Sequence, residues 1–544
     1  MGFMKLKKNI SIMLVIGLMS STLIGCSNTS SDAGKSLDKE NARKANNELI
    51  AAVTSEPETG FDATDTGHGD MTSVFFSTLF KRNKNLGMEN DLAKSYEISE
   101  DRLTWTVKIR EDVKFTDGEN LTAEDVVYTY EIAKNSGSSI DLTMLDSVSK
   151  VDDYTVEFKL KNPQSTFIEK LATVGIVPKH AHNEGFSDNP IGSGPYKLVQ
   201  WDKGQQVIAE ANEYYYGEKP SIKKLTMVFM DDDTAYAAVK AGEVDIASIP
   251  GSFAKEEVEG KKLIELDSIE TYGVAYPMEQ PGKTTADGYP IGNAVTSDET
   301  IRKALTYAID REELVEGILE GYGAPSSTGL EKMPWLNEET IIKPEEDGKI
   351  EEAKKMLEEA GWKDTNNNGT IDKDGVEAEF DLLYTDGKYR QELGLAYVEV
   401  AKKLGIKVNL ENRNWDTIVP EINSQAVLYG FGSGDPSEIY NLYSSKTFGV
   451  GVPWNNSGYY QNDKVDEYID KALQSEDEDS ALEYWKKAQW DGETGFSHMG
   501  DCAYTWFVNA GHLYLADEDL DIGTPVVQPH GGKVLYNITE WSWK

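Results

Sequence analysis

The chain has 544 residues, of which 39% are hydrophobic and 10% aromatic, and it carries a formal net charge of −40 at pH 7. Such a length exceeds one hydrophobic core, so two or three domains are expected, and 27 Tyr with 11 Trp leave aromatics to spare for a binding cleft. The charge excludes nucleic acid, whose phosphates need a basic face, and excludes docking of the protein surface on anionic lipid.

Lys5, Lys7 and Lys8 precede an apolar run from Ile10 to Met19, broken only by Ser11, and Leu23-Ile24-Gly25 leads directly to Cys26. Residues 1–25 therefore read as a signal peptide, too short in its apolar part to span a membrane as a mature helix. Leu23-Ile24-Gly25-Cys26 resembles the bacterial lipobox. That resemblance implies diacylglycerol on the Cys26 sulfur, cleavage after Gly25, and an extracytoplasmic protein attached to the cell membrane through its lipid alone. An ordinary secretory signal with an incidental cysteine is the alternative. Residues 26–47 are rich in Ser, Asn, Asp, Lys and Ala without a hydrophobic period, which predicts a flexible tether. Cys502 is the only other cysteine, so no disulfide can join body residues, and it reads as a small buried side chain.

The folded body is expected to begin with a strand at Glu48 to Val53. Thr104 to Ile109 alternates as a strand does, Asp117-Gly118 signals a turn, and Thr122 with Asp125 has the spacing to cap a helix starting near Ala123. Further strands are predicted at Tyr154 to Leu160 and after the Gly/Pro cluster in Asn189 to Trp201. Thr234 to Ala247 predicts a short helix stopped by Gly242 and followed by a strand. The strongest helical period runs from Ile301 to Gly321, with Ile301, Leu305, Ala308, Leu314 and Ile318 on one face and Thr296 and Glu299 at capping-box spacing. A strand from Ala378 to Tyr384, a helix from Tyr389 to Leu404 and a strand from Ile406 to Leu410 make a β-α-β unit, hence a parallel pair. The chain is mixed α/β and shows no internal repeat.

The blocks "LAKSYEISEDRLTWTVKIREDVKFTDGENLTAEDVVYTY", "IGSGPYKL", "VKAGEVDIA" and "IRKALTYAIDREELVEGILEGYGAP" resemble, in order and spacing, those of the peptide/nickel family of ABC-importer substrate-binding lipoproteins, solute-binding protein family 5. With "EEAKKMLEEAGW" and "NNSGYYQNDKVDEYID" the resemblance runs from about residue 50 to the end. It implies a two-lobed, type II periplasmic-binding-protein-like fold with an extra inserted domain. The first lobe would comprise residues 48–75, 189–283 and 511–544, the insert residues 76–188, and the second lobe residues 284–510. It also implies a receptor that closes on a small solute and delivers it to permease subunits served by cytoplasmic ATPases. A short peptide is the favoured cargo, a nickel or other metal chelate the alternative, and a monomer is expected.

The same resemblance places ligand contacts at Thr54, Ser55, Glu56 and Pro57 after the first strand, at Tyr272 and Tyr276 after a crossover, and at Trp415, Phe431, Ser433, Asp435 and Trp454. Phe431 stands where nickel-type members tend to carry tryptophan, and Asp435-Pro436 matches the family's Asp-Pro. Gly432 occupies the position at which dipeptide-binding members carry an acid for the peptide ammonium, and Phe448-Gly449 the region where nickel-type members offer a histidine. Recognition is therefore expected to rest on aromatic packing and on hydroxyl or main-chain hydrogen bonds.

An enzyme reading is weaker. Ser147-Val148-Ser149-Lys150, Ser187-Asp188-Asn189 and Lys283-Thr284-Thr285 imitate the motifs of penicillin-recognising serine hydrolases. A nucleophile of that class opens a helix, whereas Ser147 precedes an alternating strand, and S-x-x-K recurs at Ser221 and Ser252. H-E-x-x-H, G-x-S-x-G and P-loop motifs are absent. Asp364, Asn366, Asn368, Gly369 and Asp372 fit positions one, three, five, six and nine of an EF-hand-like loop, but Gly375 stands where the bidentate carboxylate belongs. A hairpin turn is the plainer reading; no cofactor is required, and structural Ca²⁺ at Asp364, Asn366, Asn368 and Asp372 is the one metal left open. Of the six histidines only His180 and His182 are close in sequence.

Overall fold

The computed structural model describes residues 39–544, apart from 54, 58, 66–70 and 137–140. The signal peptide, Cys26, Thr54, His68 and the first part of the expected tether lie outside the described residues. The end of that tether is docked: residues 39–45 are helical, Arg43 grips Asp245 with its guanidinium at 2.7 Å, and Lys44 reaches Asp517 at 2.9 Å. Low hydrophobicity hid this anchoring, because it is made by charges whose partners are distant in sequence.

Two large sheets organise the body. The first has seven strands, ordered Lys261–Leu266, His512–Asp517, Ile246–Ser248, Glu48–Val53, Lys224–Phe229, Gln206–Ala211 and Tyr196–Asp202. Glu48–Val53 pairs in parallel with both neighbours, while the outer strands add antiparallel. The second sheet has six strands, ordered Gly323–Pro325, Tyr504–Ala510, Thr271–Ala275, Ala426–Phe431, Glu379–Tyr384 and Lys407–Asn412. Glu379–Tyr384 and Lys407–Asn412 are parallel and joined by the helix Arg390–Lys403, which is the expected β-α-β unit. Helices cover both faces, so alternate residues of one strand enter different cores: Leu382 and Leu428 pack on one side, Leu383 and Tyr429 on the other.

A third sheet, Ala93–Ile98, Thr104–Ile109, Thr155–Leu160 and Leu145–Asp152, is wholly antiparallel and has its own core around Trp105, Tyr130 and Phe158. Its helix Ala123–Ala133 starts at a capping box, with the Thr122 side chain accepting from the Glu124 amide and Asp125 accepting from the Thr122 amide at 2.9 Å. Ser147 lies inside the strand Leu145–Asp152, Ser187 in the turn Phe186–Asp188 and Lys283 in the strand Lys283–Thr284.

Two expectations are corrected. The Ile301–Gly321 period is two helices, Glu299–Ala308 and Arg311–Gly317, separated by extended backbone at Ile309 and Asp310. Asp310 caps the second helix by accepting from the Glu313 amide, and the buried Arg311 guanidinium donates to the carbonyls of Ser326 and Trp506, an aim that a straight helix would not give it. The first helix is capped by Asp298, while the Thr296 hydroxyl donates to the Pro277 carbonyl. The second correction is the lobe boundary. Thr271–Ala275, which the bounds 189–283 put in the first lobe, hydrogen-bonds into the second sheet, so the chain passes between sheets at residues 266–271, ahead of Tyr272, and returns at 510–512.

These two passages are tied together. The Ala510 amide donates to the Glu270 carbonyl at 2.9 Å, and the Ser268 hydroxyl donates to the Ala510 carbonyl. Glu270 itself accepts from the Tyr272 hydroxyl, meets His512 at 2.8 Å and His530 at 3.4 Å. One carboxylate thus joins both connecting strands and the C-terminal tail.

Candidate ligand cleft between the lobes

A cavity of about 1310 Å³ opens where the second sheet faces the inserted domain and the C-terminal tail. Its aromatic wall is built by the strand Ala426–Phe431 and by two loops. Trp415 begins a short helix capped by Asn414, and its ring lies 5.9 Å from that of Tyr429 and 5.7 Å from that of Trp454. Tyr429 in turn meets Phe431 at 5.2 Å, and Phe431 is backed by Tyr504 and Trp506. Gly430 lets the tail approach, since a Cβ there would stand 2.7 Å from the His530 ring. At Gly432, with φ +135°, a Cβ would fall 2.2 Å from the Ile269 carbonyl oxygen, so this position admits no side chain.

The opposite wall is ionic. Lys170 of the insert reaches Asp435 of the second lobe at 3.1 Å and the Ser437 hydroxyl at 3.3 Å. Burial would raise the Asp435 carboxyl, but Lys170 and the hydrogen bonds from Ser437 hold it below its ordinary value, while Asp435 holds the lysine above its own against the pull of burial. Arg82 pairs with Glu169. Glu169 is nonetheless pushed up to about 8, by burial first and then by neighbouring Asp435, against the pull of Arg82. Arg390 donates to the Thr385 hydroxyl at 2.6 Å and to the Asp386 carbonyl; its Nε has no hydrogen-bond partner and its guanidinium no carboxylate among the described residues.

Of the expected contacts, Trp415, Phe431, Ser433, Asp435 and Trp454 line this cavity. Others are corrected. Tyr276 is fully buried in the core, its hydroxyl bonded to Tyr397 at 2.8 Å and Thr505 at 2.7 Å. Tyr272 is buried beneath the cleft with its hydroxyl on Glu270. Glu56 accepts from the Trp201 indole and the Gly204 amide, both at 2.8 Å, and so closes a hairpin of the first sheet; Ser55 and Pro57 are also absent from the lining. Sequence reasoning missed Tyr429, Arg390, Glu438 and His530, which line the cavity. Tyr429 lies two residues before Phe431, on the same face of the strand Ala426–Phe431.

The Asp364–Asp372 loop closes on its own groups. Asp364 accepts from the amides of Asn368 and Gly369, Asp372 from the amide and hydroxyl of Thr365, and the Asn366 and Asn368 side chains both donate to Glu377. Among the described residues no group of three or more His, Cys, Asp or Glu is placed to hold a metal ion. Cys502 is a free, buried thiol beside Thr306.

Residues 87–451 match the sequence model of the bacterial extracellular solute-binding proteins, family 5, middle region. Protein XP55 of Streptomyces lividans is 34% identical over 488 residues, covering 86% of this chain and 85% of that protein. The oligopeptide-binding protein AppA of Bacillus subtilis is 29% identical over 559 residues, covering 98% and 97%. Among solved structures, NikZ from Campylobacter jejuni in complex with Ni(L-His) superposes with a TM-score of 0.78 at 25% identity, covering 91% of this chain and 99% of that one. AppA from Bacillus subtilis in complex with a nonapeptide gives 0.73 at 27% identity, with the same coverage.

Proposed function

The chain belongs to the bacterial extracellular solute-binding proteins of family 5, and we propose on that premise that it captures a short peptide outside the cell and passes it to the permease of an ABC importer. Its fold is the two-lobed periplasmic-binding-protein-like α/β fold of that family, with an inserted domain. The observation that carries the peptide reading is the cleft itself. Its 1310 Å³ exceed the roughly 300–1,000 Å³ of pockets for drug-sized ligands. Its walls combine an aromatic face with the Arg390 guanidinium, which has no carboxylate partner among the described residues and is a fork suited to a ligand carboxylate. The peptide-binding relative AppA matches nearly the whole chain.

In this reading the protein is a receptor and not an enzyme. Solute touching both walls favours the closed state by its extra affinity for that state, with residues 266–271 and 510–512 as the hinge. The Lys170–Asp435 ion pair joins the insert to the second lobe on the rim of the cleft. Lipid on Cys26 would hold the receptor at the membrane. No helix among the described residues is long and apolar enough to cross it, and a Cys26→Ser protein is expected to be released into the medium or periplasm.

A nickel chelate is the second reading, favoured by the likeness to NikZ and by His530 on the cleft wall. Titration calorimetry separates the two. Pooled peptides of two to nine residues are expected to give saturable heat, and Ni(II) with L-histidine none; the reverse result would replace the peptide by the chelate.

A further inference from the structure

We propose that the turn around Ser165 is a latch: it caps a helix of the second lobe, holds the lobes shut on bound solute and so slows release without touching the solute. The inference rests on the protein being a receptor whose lobes close on its solute. The insert itself is fastened to the first lobe. His182 meets Asp62 at 2.8 Å, the Tyr216 hydroxyl donates to Asp91 at 2.6 Å, and the Thr116 amide donates to the Gly192 carbonyl at 2.9 Å. A contact between the insert and the second lobe is therefore one that breaks as the lobes part.

Ser165 makes such a contact twice. It stands just before the insert helix Phe167–Leu171, and its amide donates to the Leu473 carbonyl at 2.7 Å while its hydroxyl donates to the Ala472 carbonyl at 3.0 Å. These are the last two residues of the helix Asp463–Leu473, and both are buried. A helix leaves its last four carbonyls without partners of its own and gathers partial negative charge there. Within the second lobe the Ser475 hydroxyl donates to the Lys471 carbonyl, and the Gln474 amide reaches those of Asp470 and Ala472. The Leu473 carbonyl takes its donor from the insert.

Two charged residues of the insert share this division of roles. Lys170, on the helix that Ser165 precedes, reaches Asp435 at 3.1 Å. Arg102, in the turn between the insert strands Ala93–Ile98 and Thr104–Ile109, has its Nε and one terminal nitrogen buried without a hydrogen-bond partner. Asp477 caps the next helix, Glu478–Gln489; hydrogen bonds from Ser480, and then the Arg102 charge, hold its carboxyl below the ordinary value. The insert thus offers donors and positive charge where the second lobe offers carbonyls and negative charge. Ser165, Arg102, Leu473 and Asp477 all lie outside the cavity lining. Shifting the balance of open and closed receptor changes apparent affinity even when every solute contact is kept.

The test follows release. The full extracytoplasmic chain is loaded with a synthetic random tetrapeptide library and chased with an isotopically heavy copy, and the light peptides that remain bound are read by native mass spectrometry. Ser165→Ala is expected to release them roughly 2- to 10-fold faster, the effect of one hydrogen bond of ordinary net strength. Ser165→Glu, which sets a negative charge against the helix end, should release them about tenfold faster or more. Ser165→Lys adds a side chain of similar length and opposite charge, and should stay within about twofold of the parent. Association rates should not change, because the latch forms after solute has entered, and melting of the solute-free variants checks that each is folded. Equal release by the parent and a folded Ser165→Glu overturns the inference. So do folded Glu and Lys variants that release equally fast, which would make Ser165 a filler of space. The same chase with Ni(II) and L-histidine keeps the latch apart from the peptide reading: a parent that holds only the chelate replaces the peptide, and the same order of variants is then expected for nickel. Retention of neither removes the receptor premise and the latch with it.

Discussion

Trp415 and Phe431 carry the same prediction for affinity but different ones for stability. Truncating an aromatic that covers a ligand costs about 2–4 kcal/mol at a binding hot spot, a loss of roughly 30- to 1,000-fold. Trp415 is half-buried on the cleft wall, so Trp415→Ala should lose affinity in that range while the protein melts almost unchanged. Phe431 is only 9% exposed and is packed on Tyr504 and Trp506, so Phe431→Ala should also lose stability, by about 3–5 kcal/mol. Titration and denaturation of both variants check the contrast. Asp435→Asn should act through Lys170: stripping one partner from a buried pair costs about 3–5 kcal/mol, and denaturant midpoints measure it. A variant that denatures like the parent but no longer binds would make Asp435 a ligand contact instead. What the sequence showed at this scale was the consecutive stretch around Phe431. It could not place Tyr276, because a tyrosine in a strand faces a cleft or a core according to which distant strands pair with it, and the partners here are Tyr397 and Thr505. Nor could it show that Arg390 has no carboxylate partner among the described residues, a fact that exists only once every neighbouring charge has been assigned.

Among the elements, capping and periodicity were legible wherever the deciding contacts were local. Thr122 and Asp125 fix the start of their helix within four residues, and the Arg390–Lys403 helix with its flanking parallel strands follows from spacing alone. The lobe boundary was set too late in the chain, at residue 283, because Thr271–Ala275 is buried on both faces, and such a run reads alike in either sheet. Its position gives Glu270 a measurable role. Burial alone would raise this carboxyl, but hydrogen bonds and charge from His512 and His530 hold it well below the ordinary value of 4.5. A carboxylate depressed in the folded state contributes stability above its unfolded pKa and loses it as pH falls through the folded one. The parent should therefore weaken on acidification below about pH 4.5, by about 1.4 kcal/mol for each unit of depression, and Glu270→Gln should show a shallower acid limb. Denaturation at a series of pH values from 3 to 6 reads both slopes. Parallel slopes would detach Glu270 from the hinge's stability.

At the scale of the molecule, composition and ordered blocks were enough for the family and the two-lobed plan, since both depend on patterns spread over hundreds of residues. The cleft was not, because its walls come from the insert, the second sheet and the tail, which meet only in the folded chain. The central claim is that solute draws these walls together. Small-angle scattering of the protein freed of bound solute by partial unfolding and refolding, then saturated with the peptide pool that it retains, tests this directly. The account predicts a smaller radius of gyration in the saturated protein, with the change lost in Trp415→Ala at the same peptide concentration. An identical scattering curve with and without saturating peptide would contradict lobe closure as the mechanism.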